Sequence, residues 1–404
     1  MFWTVKKAMY RIVQQSVRLT CFFLDWREPV YIKGAGSIGM LPETIKHKNI
    51  SNVLIVTDKT IENLHLMDSL INGLTGAGIK YIVFNGVRPN PSVENMEDAR
   101  NLYIKNNCDA IIGFGGGSSI DCAKGAAIRI SDPKKSLRSL QGILKVRHKL
   151  PPVIAAPTTA GTGSEITVVT VVKDMATREK FAVSDPKVRP KFVVLDPELT
   201  LSLPPDLTAT TGLDALTHAV EAFIGKSNTK YTAECARKAV KIIFQNIEKA
   251  YSDSDDIDAR YQMLIAANLA GTAFTRAYVG YVHAIAHTLG GLYDTPHGFA
   301  NSVILPHILQ NYGKYAEKRL AELADIAGIT STSQSISEKS KAFIAATKEF
   351  NRKFGIPEYL TDIKEEDIPL IAKRAMKEAN PQYPVPKEMN QAEFESIIRL
   401  IMGR

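Results

Sequence analysis

Asp109-Ala110-Ile111-Ile112-Gly113-Phe114-Gly115-Gly116-Gly117-Ser118-Ser119-Ile120-Asp121 passes from an apolar run into three glycines and then into a helical pattern. A continuous apolar run suits a strand buried on both faces, and so a parallel sheet. Glycine lets a phosphate approach the backbone, and a helix opening behind it offers free N–H groups and a favourable dipole to an anion. The spacing is not G-x-G-x-x-G, and a glycine run before a helix also makes a plain tight turn. Ser118 with Asp121 three residues on reads as a capping box for that helix.

Working outward, similar apolar runs stand at 52–57, 81–85, 152–156 and 192–195, separated by segments of helical period. Ser92 after Pro91 caps one of these helices. This alternation predicts an α/β fold, a doubly wound and mainly parallel sheet. Thr158-Thr159-Ala160-Gly161-Thr162-Gly163-Ser164-Glu165 follows the run at 152–156 and sets hydroxyls and bare backbone at a second strand end. Two such edges in one sheet suggest a dinucleotide. Asp58, closing the run at 52–57, reads either as the acceptor of a ribose 2′-OH, which would favour NAD over NADP, or as the cap of the next helix.

Beyond Pro204-Pro205 long amphipathic helices take over, at 211–224, 232–251, 257–289 with breaks at Gly271 and Gly280, and 302–312. The expected division is therefore an α/β dinucleotide-binding domain over 1–203 and an all-helical metal and substrate domain over 204–404. The helices after Ser331 are polar, and the Asn380 to Pro386 loop reads as an outer layer. Residues 1–24 carry Lys6, Lys7, Arg11 and Arg18 without an acid, and Phe2, Trp3, Val5, Met9, Ile12, Val13, Val17 and Leu19 recur at helical spacing. Of the readings open to such a basic amphipathic helix, a transit peptide, a membrane-surface helix or a packing helix, the expectation is a helix packed on its own domain or on a partner subunit.

The composition, 404 residues with 45% apolar and 23% charged, excludes a disordered chain. The net charge of +8 is mild for this length. Four cysteines without a CxxC pair indicate neither a disulfide framework nor a thiolate zinc site, so a reducing cytoplasm is expected. No run of about 18 apolar residues appears, so no spanning helix is expected.

Chemistry concentrates in two helical segments. Asp214 and His218 lie four apart and share a helix face, and His283 and His287 repeat that spacing before Gly290-Gly291, which reads as the helix end. His297 follows in Pro296-His297-Gly298. An Asp/His group without cysteine suits Fe²⁺ or Zn²⁺, where a lone histidine would read as a packed core residue.

GGGSSID at 115–121, PTTAGTGSE at 157–165, GLDALTHAVEA at 212–222 and HAIAHTLGGLYDTPHG at 283–298 together resemble the iron-containing, or group III, alcohol dehydrogenases. The likeness runs from Tyr31 to Tyr312, the last ninety residues matching loosely, and the N-terminal helix ending at Trp26-Arg27-Glu28-Pro29 resembles clostridial-type members. The resemblance implies that Asp214, His218, His283 and His297 hold a metal, Fe²⁺ before Zn²⁺ or Ni²⁺. It leaves His287 uncoordinated, as a proton shuttle. It places Asp58, Asn90, Gly116, Gly117, Ser118, Thr158, Thr159 and Lys180 on NAD(H). The implied activity is hydride transfer between NAD(H) and a short-chain alcohol or diol, with Phe274, Tyr278 and Phe299 near the histidines in the chain. The implied partners are a small-molecule alcohol or aldehyde and a second copy, in a homodimer or higher homo-oligomer, with no nucleic acid or membrane. The alternatives are a lyase similar to dehydroquinate synthase, which the intact 283–298 segment opposes, and a glycerol-type polyol dehydrogenase.

Overall fold

The computed structural model describes residues 2–403. Among these, the first part of the chain forms α1 (Phe2–Phe22), β1 (Val30–Lys33), α2 (Leu41–Lys46), β2 (Asn52–Val56), α3 (Lys59–Asn63), α4 (Asp68–Gly76), β3 (Lys80–Phe84), α5 (Val93–Lys105), β4 (Ala110–Gly115) and α6 (Gly117–Ser131). Five more strands follow, β5 (Gly142–Ile143), β6 (Val153–Pro157), β7 (Val169–Asp174), β8 (Glu179–Ser184) and β9 (Phe192–Leu195). The remainder is helical, with α7 (Pro205–Ile224), α8 (Lys230–Ser252), α9 (Ile257–Ala277), α10 (Tyr281–Leu292), α11 (His297–Tyr312), α12 (Glu317–Ala327), α13 (Ile336–Lys353), α14 (Ile368–Ala379) and α15 (Gln391–Ile401). No described helix is long and apolar enough to cross a membrane.

Six strands pair in the order β1-β9-β6-β4-β2-β3, every pair parallel. Side chains alternate between two cores. Leu54, Val56 and Ile111 join Met96, Ala123 and Ala126 of α5 and α6 on one face, and Val53, Ile55 and Ile112 join Leu41, Leu70 and Leu74 on the other. The expected doubly wound sheet is present. Its strand order reverses between β2 and β4, where Asp58 and the glycine run stand at the strand ends. Such a switch point is where open α/β sheets take ligands.

Two strand groups were absent from the sequence reading. The edge strand β1 has only four residues, one of them buried. A second sheet, β5-β8-β7, is mixed, with β7 and β8 antiparallel. Its β7, Val-Thr-Val-Val-Lys-Asp, is interrupted by polar residues and lacks the continuous apolar signal of the main strands.

Backbone contacts divide the chain into two compact units, Asp25–Pro205 with Ser252–Asn268, and Met1–Leu24 with Asp206–Tyr251 and Leu269–Arg404. The expected division at 203/204 assigned α1 to the α/β part. The structure instead packs it with the helical unit, because Gln14 donates to the Pro381 and Tyr383 carbonyls and Arg11 donates to that of Val385. Helix α9 runs unbroken through Gly271, and α10 runs through Gly290 and Gly291 to Leu292. Packing on both sides overrides the glycine penalty of about 1 kcal/mol at these positions.

Candidate metal centre and cofactor turns

Almost every residue of α7 after Gly212 is buried, and Asp214 and His218, one turn apart, are buried with it. His283 lies in the first turn of the equally buried α10, and His297 is the first residue of α11. One ligand atom from each of Asp214, His218, His283 and His297 lies within 4.8 Å of the others. Asp214 Oδ1 stands 3.6 Å from His297 Nε2, 3.8 Å from His283 Nε2 and 3.9 Å from His218 Nδ1. These gaps are too long for hydrogen bonds. They match atoms set around a common centre, since two ligands each about 2.1 Å from an ion are at most about 4.2 Å apart. By this test the donor set fits a divalent cation.

Behind His283, the buried Glu221 carboxylate accepts from the N–H of Gly280 at 2.7 Å and of Val282 at 2.8 Å. It also meets His283 Nδ1 at 2.7 Å. The network assigns the Nδ1 proton to that contact, leaving the Nε2 lone pair toward Asp214. Glu221 also places negative charge at the N-terminus of α10, where the dipole favours it. Asn301, one turn along α11 from His297, donates through Nδ2 to Asp214 Oδ1 at 2.6 Å. Phe274, one of the three chain-proximity candidates, stacks on His218 with ring centroids 4.1 Å apart.

His287 falls outside the group of four. Its Nδ1 meets Glu378 Oε1 at 2.7 Å, its ring stacks on His297 at 5.1 Å, and Tyr383 Oη donates to the same Glu378 oxygen at 2.8 Å. Burial and the Glu378 charge push the Tyr383 hydroxyl well above the usual pKa of 10.0. The 380–386 loop, expected as an outer layer only, thus reaches the histidine cluster through Glu378.

In the α/β unit, Gly115 has φ +141°, a conformation an L side chain rarely adopts, and a Cβ there would sit 2.6 Å from Ser119 Oγ. Gly116 is the N-cap of α6, without a side-chain cap. The Ser118–Asp121 capping box is therefore not formed. Asp121 instead accepts from Ser164 Oγ at 2.5 Å and from Val171 N–H at 3.0 Å. It thereby ties the glycine turn's helix to the second turn and to β7. The turns also touch directly. Thr158 N–H donates to Gly115 O at 3.0 Å, and a Cβ on Gly117 would sit 2.7 Å from Thr162 Cγ2.

Asp58 caps α3, its Oδ1 accepting from Thr60 and Ile61, while Oδ2 stands 3.8 Å from where a Gly115 Cβ would lie. One oxygen caps and the other faces the glycine turn, which leaves room for both readings of this residue. Asn90 and Lys180 are linked through the second sheet. Lys173 N–H donates to Pro91 O at 2.9 Å, and Lys173 pairs with Lys180 across β7 and β8.

A family model described as iron-containing alcohol dehydrogenase matches residues 29–197, and its companion, the C-terminal part of the Fe-containing alcohol dehydrogenase family, matches 208–402. The chain belongs to the iron-containing alcohol dehydrogenase family. It is an oxidoreductase acting on CH–OH groups. The match continues to residue 402, well past Tyr312, where the motifs fade.

Within the iron-containing alcohol dehydrogenases, the chain is 38% identical to the 1,3-propanediol dehydrogenase of Citrobacter freundii over 91% of this chain and 95% of the other. It is 34% identical to the NAD-dependent methanol dehydrogenase of Bacillus methanolicus over 92% and 98%. The solved structure of an alcohol dehydrogenase from Oenococcus oeni superposes with a TM-score of 0.90 at 36% identity, over 93% of this chain and 99% of that one.

Glu221, Asn301 and Glu378 escaped the sequence reading. Glu221 and Asn301 carry a findable signal, each one helical turn from a candidate ligand, at His218 and His297. Glu378 carries none, because 91 residues separate it from His287.

Proposed function

We propose that the chain oxidises short-chain alcohols or diols, and reduces the matching aldehydes, using NAD(H) and one Fe²⁺ held by Asp214, His218, His283 and His297. The observation that carries this reading is the convergence of one carboxylate oxygen and three imidazole nitrogens within 4.8 Å. A divalent cation bound there supplies a Lewis acid for the substrate oxygen. Three imidazoles and a carboxylate without thiolate suit Fe²⁺, and also accept Zn²⁺ or Ni²⁺.

The chain's own residues do the rest. Glu221 keeps the Nδ1 proton of His283, so that Nε2 faces the cluster. His287, its Nδ1 engaged by Glu378, takes the alcohol proton at Nε2 during oxidation and returns it during reduction. Phe274 walls the His218 side with an apolar ring that excludes water and suits a short carbon chain. Similar proteins carry the names 1,3-propanediol dehydrogenase, methanol dehydrogenase and lactaldehyde reductase, which supports a substrate of one to three carbons.

For the cofactor, Gly116, Gly117 and Ser118 offer the α6 N-terminus to the pyrophosphate, with Thr158 and Thr159 beside them. Asp58 accepts from a ribose hydroxyl and repels a 2′-phosphate, which favours NAD over NADP. In this reading Asn90 and Lys180 contribute further contacts to the cofactor. The reading includes a cytoplasmic location, supported by the buried thiols of Cys108, Cys122 and Cys235, which form no disulfide, and a homo-oligomer.

The test is NADH formation with a panel of short alcohols and diols, using protein stripped of metal and reloaded with Fe²⁺, Zn²⁺ or Ni²⁺. Restoration by Fe²⁺, absent in an Asp214→Ala, His283→Ala double variant that no longer binds metal, is the expected result. Silence with every alcohol and aldehyde, although metal and NAD bind, overturns it in favour of lyase chemistry.

A further inference from the structure

Helix α1 docks by its polar side. Gln14, only 3% exposed, donates to the Pro381 and Tyr383 carbonyls at 3.0 Å each, and Arg11 pairs with Glu388. On the opposite side Val5, Met9, Ile12 and Leu19 are 55%, 58%, 66% and 64% exposed. A helix that hides its amide and shows its aliphatic residues reverses the usual amphipathic arrangement.

The outward residues are spaced four, three and seven apart. The small, exposed Ser16 splits that last interval into four and three, and Phe23 stands four residues beyond Leu19. This alternation of four and three is the narrow a/d seam of a two-stranded coiled coil, not the wide apolar stripe of a helix lying on a core or a bilayer. The family match begins at residue 29, so the seam lies outside it.

We propose that this seam pairs with the same seam of a second copy of the chain, antiparallel, about a two-fold axis. Charge selects this occupant. Of the four cations on α1, only Lys6 borders the seam. At 100° per residue Lys7, Arg11 and Arg18 lie on the far half, where Arg11 is engaged by Glu388. A helix lying on a lipid surface keeps its Lys/Arg-rich polar face free toward water and headgroups, whereas here that side is docked against residues 381–388. In the antiparallel pair Lys6 meets Thr20 of the second copy, Val13 meets its own equivalent, and no like charges face each other. Three heptads are too short to hold together as free peptides. Here the docked side already fixes the helix, so pairing orders little new backbone.

The inference rests on the homo-oligomeric reading above and adds a contact to it that lies outside the family match. Sedimentation equilibrium of the full chain tests both. An Ile12→Lys, Leu19→Lys double variant should contain half as many chains per particle as the parent, with unchanged activity per chain and an unchanged helical circular-dichroism spectrum. Val13→Cys should form an intermolecular disulfide under mild oxidation. A parent that sediments as a single chain overturns both readings. An oligomer whose mass the double variant leaves intact overturns the seam alone. Co-sedimentation of the parent with phosphatidylglycerol vesicles, lost in the double variant at unchanged mass, overturns it in favour of a lipid surface.

Discussion

The Glu221 carboxylate accepts from two backbone N–H groups and meets His283 Nδ1, so Glu221→Gln turns an NH₂ toward at least one of these donors. The expected result is metal affinity lower by roughly 10- to 100-fold, read by competition with a chromogenic chelator. His287→Ala, by contrast, should retain the metal in the same assay and lose about 10²-fold in kcat. Lys124 makes a different kind of prediction. Its ammonium, fully buried, donates to Ser164, Thr167 and Val169, and burial pushes its pKa down from 10.5 to about 8, against the pull of Asp121. Between those values the unfolded chain holds the proton and the folded chain does not, so stability rises with pH across that window. Melting temperatures of the wild type relative to Lys124→Met should climb from pH 8 to pH 10, worth up to about 1.4 kcal/mol per pH unit. At this scale Asp214 and His218 were legible because they sit one turn apart on one helix, and His283 through the same spacing to His287, which is not itself in the group of four, while His297 on α11 followed from its short motif. Glu221's role was not, because its donors lie 59 to 62 residues away.

Elements repeat that division between near and far. The five strands of the main sheet read from the sequence are continuous apolar runs that need no partner to be recognised. The edge strand β1 and the β7–β8 ribbon depend on their neighbours, and polar residues such as Thr170 and Lys173 break their signal. Asp121 had the spacing of a cap, yet it serves a loop 43 residues on. Close approach of elements is likewise invisible in the sequence. Helix α11 starts so near α7 that a Cβ on Gly298 would lie 2.5 Å from Thr210 O. Gly298→Ala must then push the α11 N-terminus, and His297 with it, away from Asp214. We expect a loss of roughly 1–3 kcal/mol in thermal unfolding, together with weaker metal binding in the chelator assay.

Across the whole molecule, the change from strand-like to helical pattern near Pro204-Pro205 lies beside the structural division at Pro205. The membership of α1 and of the first part of α9 does not follow from chain order. Both are decided by contacts between distant segments. Gln14→Ala removes two hydrogen bonds from half-buried carbonyls and should let α1 open roughly tenfold more often, seen as faster proteolysis near residue 25 while the main unfolding transition stays in place.

The latch between Arg11 and Val385 joins residues 374 apart. A ribosome adding about 5–20 residues per second needs roughly 20–75 s to make that stretch. Throughout that time α1 is finished but has nowhere to sit, so its docking is among the last events of synthesis. On a crowded message, nascent chains therefore carry the apolar row of α1 side by side before any of them is complete, and seam pairing can begin between neighbours on one polysome.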